Sequence, residues 1–313
     1  MGQDRLLPDP AVLDALRVGG DFAVIPHVLP DVDALGSAEG LCRILRAAGG
    51  RASVHAPDVP DIYRWALAPE VCADGEPAPG VTRVAIDTAR QARLQIPGRV
   101  AVNIDHHEDN PGFGAQANWV AAAPSCTCLL LPLAEALGVP VRGELATALY
   151  RGLVGDTECF RVNLSPAAFL WAARLAAAGA DCAGTAERFG QRSPGFWGYL
   201  AAVERAAFDL AGSASGVPLR VVPIPADLAG CHALLPYEHA LLPGHLFPPE
   251  GGILAILQEG QGGVRFRLRS RGVDVLPLAH ALGGGGHPQA AGVQLVGVGL
   301  DTAVAALRAA WAG

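Results

Sequence analysis

Between residues 21 and 107 one pattern recurs: a short, mainly apolar run that ends on acidic or imidazole groups. Phe22-Ala23-Val24-Ile25 leads into His27, Asp31 and Asp33. Val81–Ile86 leads into Asp87, and Val100–Ile104 into Asp105-His106-His107. Ala52–His55 is a further run of the same kind. Such runs, set between helical stretches, predict strands of a parallel sheet covered on both faces. The Gly36-Ser37 pair reads as a turn, with a helix after it over Leu41–Ala48. Helical patterns then dominate at Cys128–Leu137, Glu144–Val154 and Pro166–Ala178, and Gly155-Asp156-Thr157 follows the second of these.

Open α/β sheets collect ligands at the carboxyl ends of their strands. The polar groups above therefore converge on one edge. Asp31 and Asp33, two residues apart on an extended turn, can point the same way. Carboxylates gathered without compensation repel one another, so a cation is their natural partner. Mixed Asp and His donors suit Mn²⁺, with Mg²⁺, Co²⁺ or Zn²⁺ as alternatives. Two such ions about 3.5–4 Å apart suit an in-line displacement at phosphorus.

From Leu219 the pattern changes to a smaller α/β unit. Strands are predicted at Leu219–Val222, Gly252–Leu257, Val264–Leu268 and Val293–Val296, and helices at Val275–Leu282 and Ala303–Trp311. Segment 194–211 reads as a connecting helix and Gly-Ser-Ala-Ser-Gly at 212–216 as the end of a linker. Four consecutive glycines, Gly283–Gly286, precede His287. Without side chains they let backbone N–H groups crowd an anion; a plain flexible loop is the alternative. Tyr237, His239, His245 and Phe247 are candidates to stack on a base, with core packing as the alternative.

Composition narrows the classes. Hydrophobic residues make up 51% and charged residues 17%, which is not a disordered chain. No apolar run approaches the roughly 18 residues of a membrane span, and the N-terminus lacks a secretory pattern, so a soluble cytoplasmic protein with no membrane partner is expected. The formal net charge of -7 argues against gripping long nucleic acid, but not against a small anionic substrate held through cations. All 23 basic residues are Arg, which we ascribe to codon bias. The seven cysteines include no C-x-x-C pair, only Cys126-Thr127-Cys128, and read as reduced, mostly buried thiols.

The ordered motifs H-x-x-P-D-x-D (His27–Asp33), I-D-T (Ile86–Thr88), D-H-H (Asp105–His107) and G-D-T (Gly155–Thr157) resemble the DHH phosphoesterase superfamily over residues 21 to 161. G-G-G-G-H-x-x-A-A-G at 283–292 resembles the signature of the DHHA1 domain. The resemblance implies an α/β protein: a DHH domain over 1–190 with a doubly wound parallel sheet, a connecting helix and linker over 191–216, and a DHHA1 domain over 217–313, with the active site in the cleft between the domains. It assigns His27, Asp31 and Asp87 to one ion and Asp33, Asp87, His106 and Asp156 to the other, Asp87 bridging. His107 lies just outside, orienting substrate or donating a proton. Asp105 either holds an imidazole in its tautomer or serves a turn. Arg269, Gly284, Gly285, Gly286 and His287 fall to the substrate, a solvated strand-edge charge being the other reading of Arg269.

Family II pyrophosphatases carry a different C-terminal domain, and RecJ exonucleases are longer. The chain is therefore similar to the short bacterial nano-RNase and pAp phosphatase branch. The implied function is hydrolysis of short oligonucleotides to 5′-mononucleotides with a side activity on pAp. A cyclic or linear dinucleotide phosphodiesterase is the enzymatic alternative. A catalytically weak nucleotide-binding regulator is the rival of another class, disfavoured because every presumed ligand is present. A short oligonucleotide or nucleotide as substrate, and a homodimer as assembly, are the partners expected. Three departures stand out: Val32 in place of the usual Gly, Gly155 in place of Thr, and Glu158 in place of Gly, the last a further carboxylate near Asp156.

Overall fold

In the computed structural model the described residues are 6–17, 19–162, 164–210, 216–231, 238–248 and 251–312. The chain divides into two compact units, Met1–Gln191 and Arg192–Gly313.

The first unit contains α1 (Pro10–Arg17), β1 (Asp21–Ile25), α2 (Val32–Ala47), β2 (Arg51–Val54), β3 (Thr82–Ile86), β4 (Val102–Asp105), β5 (Ala117–Val120), α3 (Thr127–Ala136), α4 (Glu144–Asp156), α5 (Pro166–Ala177) and α6 (Cys182–Gly190). Its five strands run parallel in the order β2-β1-β3-β4-β5. The order reverses beside β1, the place where such sheets open a crevice. One face buries Val24, Val84, Val102 and Ile104 against Leu35, Leu41, Leu129 and Leu149 of α2, α3 and α4. On the other face Ile25 and Ala85 pack under Leu94, Ile96 and Val100, from an irregular stretch rather than a helix.

The sequence places a turn at Gly36-Ser37, yet α2 begins at Val32 and runs straight through it. Glycine costs about 1 kcal/mol in a helix interior. Here it permits a close crossing: a Cβ at Gly36 would sit 2.6 Å from the Ala148 carbonyl oxygen of α4. The interhelical contact offsets the propensity.

The second unit contains α7 (Phe196–Ala206), β6 (Phe208–Leu210), β7 (Leu219–Ile224), α8 (Leu228–Cys231), α9 (Glu238–Leu246), β8 (Gly252–Gly260), β9 (Gly263–Arg271), α10 (Leu276–Ala281), β10 (Gly285–His287), β11 (Ala290–Val296) and α11 (Leu300–Ala312). Its sheet runs β10-β11-β9-β8-β7-β6, antiparallel except for β7–β8. One face packs on α10 and α11 through Leu278, Ala279, Ala303 and Leu307, and the other on α7 and α9 through Tyr199, Val203, Leu242 and Leu246. The connecting segment is helical only to Ala206; Phe208–Leu210 pairs with β7 as a strand. The glycine run is not a free loop, because Gly285 and Gly286 belong to β10. Residues 212–215 of the expected linker, Tyr237, and the side chain of His239 lie outside the described residues.

Only Cys42, Cys126 and Cys128 of the seven cysteines are buried, while Cys72, Cys159 and Cys231 are exposed. The expectation of mostly buried thiols is therefore corrected. Among the described residues no helix is long and apolar enough to cross a membrane.

Candidate metal centre

Asp31 and Asp33 do not share a face by strand alternation. They sit at the start of α2, where Asp31 is the N-cap and its Oδ1 accepts from the N–H groups of Asp33 (3.1 Å) and Ala34 (3.0 Å). Asp33, in the first turn, is 1% exposed. Its carboxylate accepts from the Cys126 N–H (2.7 Å) and the Thr127 N–H (3.3 Å) at the start of α3. Helix N-termini favour negative charge, so both carboxylates are placed where the backbone supports them.

Asp87 follows β3 with a φ of +51°, a left-handed conformation that Asp tolerates better than most residues. It is 2% exposed, and its Oδ1 has no hydrogen-bond partner among the described residues. His27 follows β1 and His106 follows β4. Asp156 is the last residue of α4 and is half-buried.

The donors fall into overlapping groups: His27, Asp31 and Asp87; Asp33, His106 and Asp156; and Asp87, His106 and His107. Within each, one ligand atom per residue lies within 4.8 Å of the others. His106 Nε2 is 3.4 Å from Asp87 Oδ1, 3.4 Å from Asp156 Oδ2 and 3.8 Å from Asp33 Oδ2. His27 Nε2 is 4.0 Å from Asp87 Oδ2. Glu158 is exposed and belongs to none of these groups. Neither does Asp105.

The imidazole tautomers decide what such a centre wants. His106 Nδ1 lies 3.1 Å from the Ala123 carbonyl and His27 Nδ1 2.8 Å from the Val28 carbonyl. A carbonyl can only accept, so Nδ1 carries the proton in both rings. Arg93 also reaches His27 Nδ1, at a longer 3.4 Å, and the shorter contact fixes the proton. In the neutral ring each Nε2 then turns a lone pair towards carboxylate oxygens. Lone pairs facing carboxylates repel unless a cation lies among them. Separations of 3.4–4.0 Å are close to the roughly 3 Å between adjacent ligands around a small divalent ion. The donor set and the orphaned Asp87 Oδ1 both fit such ions.

The carboxyl groups register the same strain. Burial, and then the charges of Asp156 and Asp31, push Asp33 well above the usual carboxylate range, against the opposing N–H groups of Cys126 and Thr127. Burial, and then Asp33 and Asp31, do the same to Asp87. Burial also raises Asp156, partly countered by His106.

Asp105 and His107 form a hydrogen-bonded pair beside the centre. His107 is partly exposed and its Nδ1 is 2.8 Å from Asp105 Oδ1. That carboxylate, fully buried, also accepts from the His106 N–H (2.9 Å) and from Asn110 Nδ2 (2.6 Å). Burial would raise the Asp105 carboxyl, but the bonds from His107 and Asn110 prevail and it lies below its ordinary value. The Asp105 hydrogen bond lifts His107 above its ordinary value, against burial. Nδ1 is thereby committed to Asp105 and Nε2 is left for other work.

Several contributors have no signature in the motif spacing. Asn110 anchors Asp105, and the N–H groups of Cys126 and Thr127 anchor Asp33. Gly152 makes room: a Cβ there would fall 2.5 Å from Asp33 Oδ1. The small residues Gly36 and Gly40 on α2, with Gly152 and Gly155 on α4, were the one available signal.

In the second unit, His287 is exposed at the end of β10, and Arg269 on β9 donates to its own Leu268 carbonyl. Gly283 takes a left-handed φ of +77° just after Leu282, the C-cap of α10, its N–H bonding to the His280 carbonyl and that of Gly284 to the Ala279 carbonyl. At Gly286 a Cβ would meet the Ala290 carbonyl at 2.6 Å, whereas at Gly285 it would meet nothing within 4 Å. His245 packs edge-on against Phe196 and Trp197, and Phe247 lies under the Arg271 guanidinium.

An all-parallel sheet with carboxylates and imidazoles gathered beyond its strand ends defines a candidate divalent-metal centre. Residues 250–312 match the DHHA1 domain. The chain is 33% identical over 318 residues to the bifunctional oligoribonuclease and PAP phosphatase NrnA of Thermus thermophilus, covering 96% of this chain and 94% of that protein. It is 24% identical to a probable protein of the same name from Streptococcus mutans, covering 90% and 91%. An exopolyphosphatase-related protein from Bacteroides fragilis, of known crystal structure, shares the fold with a TM-score of 0.79 at 20% identity, covering 97% and 96%. The chain belongs to the DHH–DHHA1 phosphoesterase superfamily, in its NrnA-like branch.

Proposed function

We propose that this chain is a metal-dependent phosphodiesterase that hydrolyses short oligonucleotides to 5′-mononucleotides and also dephosphorylates pAp. The observation that carries the reading is the buried Asp87 Oδ1, without a hydrogen-bond partner among the described residues, 3.4 Å from His106 Nε2 in a ring whose Nδ1 faces the Ala123 carbonyl. Full-length similarity to relatives named for these two activities supports it.

His27, Asp31 and Asp87 would hold one ion and Asp33, Asp87, His106 and Asp156 the other. The mixed donors favour Mn²⁺, with Mg²⁺ and Co²⁺ as substitutes. The chemistry that a divalent pair supplies is Lewis-acid activation of phosphate and of water. The remaining residues have their own tasks. Asp105 fixes the His107 tautomer and favours its protonated form, so that Nε2 carries a proton for the leaving oxygen. Arg269 and His287 bind substrate phosphate, and Gly285 lets the backbone approach it.

The test is turnover, with Mn²⁺, of a panel comprising pAp, a dinucleotide, a 5-mer, a 24-mer and cyclic di-AMP. We expect kcat/KM on the dinucleotide to exceed that on the 24-mer, with measurable release of phosphate from pAp. A preference for the 24-mer, or cyclic di-AMP as the best substrate, would overturn the proposal.

A further inference from the structure

From Arg265 onward every second residue of β9 is an arginine. Arg265, Arg267, Arg269 and Arg271 alternate with Val264, Phe266 and Leu268, which lie in the core. Side chains alternate across a strand, so all four guanidinium groups leave the same face. Their neighbours on β11 are small or polar. Register sets Ala290 beside Arg269, Gly292 beside Arg267 and Gln294 beside Arg265. One strand further out, His287 stands beside Ala290 and Gly285 beside Gly292. Leu254 and Ile256 of β8 are covered by residues of α7 and α9, but Gly292, Gln294 and His287 are exposed. The β9-β11-β10 part of the face is thus an open floor with arginines along one side.

No ion pair joins Arg265, Arg269 or Arg271 to a carboxylate among the described residues. Arg271 is engaged by the Phe247 ring, 4.3 Å away. Arg267 donates to Gln258 Oε1 at 3.3 Å; burial, and then the charges of Arg265 and Arg269, lower it below its ordinary value. A row of like charges within a chain of net charge -7 is costly to keep unless an anion answers it.

We propose that Arg265, Arg267 and Arg269 bind successive backbone phosphates of a short single-stranded oligonucleotide, with His287 beside the Arg269 end. This extends the function proposed above and rests on it for the identity of the ligand. Two residues of strand advance about 6.6 Å, of the order of the step between neighbouring phosphates on an extended single strand. Gly285, Gly292 and Ala290 keep the floor low enough for a backbone to lie across it. The row stops at Arg265, because the next residue on that face is Gly263, at the turn into β8. Affinity gained by charge therefore saturates after three phosphates. Arginine suits the task through its bidentate grip on phosphate.

The experiment uses the full chain in chelator, with 5′-fluorescein-labelled dinucleotide and 5-mer followed by anisotropy over a range of salt. For wild type, log Kd for the 5-mer should depend more steeply on log salt than for the dinucleotide. Arg265→Gln, an exposed site that spares the core, should reduce the 5-mer slope by about 0.7, the share of one phosphate contact on a single strand. It should also weaken the 5-mer more than the dinucleotide. Arg267→Gln should repeat the effect, with a thermal melt to verify its fold. An unchanged 5-mer slope in Arg265→Gln, or equal weakening of both probes, would overturn the proposal. Turnover of the same two oligonucleotides with Mn²⁺ separates the two readings. Steep binding without cleavage removes the enzymatic reading and leaves the arginine row. Cleavage with a wild-type slope in Arg265→Gln does the reverse.

Discussion

Val32 and Gly155 fit against each other: a Cβ added at Gly155 would lie 3.1 Å from the Val32 Cβ. These are two of the three departures from the family pattern, and they form one contact. Val32 stands between Asp31 and Asp33, and Gly155 beside Asp156, so the contact spaces the acidic residues of α2 and α4. Gly155→Thr alone should overpack this site and cost about 1–3 kcal/mol. Adding Val32→Gly should recover much of that loss. A double-mutant cycle by thermal melting should give a coupling above about 0.5 kcal/mol; additive effects would mean that the two positions vary independently.

The pH dependence of the metal-free protein follows from Asp87. Its carboxyl is raised in the folded state, by burial first and neighbouring carboxylates second. An acid raised in this way stabilises the fold below its unfolded pKa, and that contribution is lost as pH rises through the folded value. In chelator at neutral pH, Asp87→Asn should therefore melt above wild type. The gap should narrow as the pH falls into the ordinary carboxyl range. With Mn²⁺ the order should reverse and turnover should be lost. Identical melting of the two metal-free proteins at neutral pH would contradict a repulsive centre.

Asp105→Asn removes the partner that lifts His107. If protonated His107 serves the leaving group, the alkaline limb of kcat/KM should move to lower pH, with a rate loss on the order of 10²–10⁴-fold. The difference between variant and wild type at equal Mn²⁺ is the quantity to measure. A limb that stays in place would assign Asp105 to the turn alone.

His106 and His287 should separate metal from substrate. His106→Ala should lose bound Mn²⁺ and activity together. His287→Ala should keep its metal and lose about 10²–10³-fold in kcat/KM, the loss typical of one well-placed donor. Metal loss in His287→Ala, or wild-type kinetics, would remove the role given to the second unit.

The glycines divide by what surrounds them. Gly286→Ala forces a Cβ against the Ala290 carbonyl at a φ of +145° and should lower the melting temperature. Gly285→Ala meets nothing and should melt like wild type, yet weaken pAp binding. Equal pAp affinity in Gly285→Ala would show that no ligand approaches there.

The sequence by itself determined the strands whose ends carry His27, Asp87 and Asp105 and the candidate donors that follow them. These are local properties, set by residue type, period and order along the chain. The tertiary structure decided where they act. The glycine at 36 reads as a turn in the sequence but is a helix crossing, because only the Ala148 carbonyl opposite it makes a side chain intolerable. Asp33 acquires its N–H partners from Cys126 and Thr127, far along the chain, and the lone pairs of His27 and His106 are aimed by two backbone carbonyls. Spacing cannot encode such partners: whether a buried carboxylate is supported or orphaned depends on which distant backbone groups the packed elements bring to it.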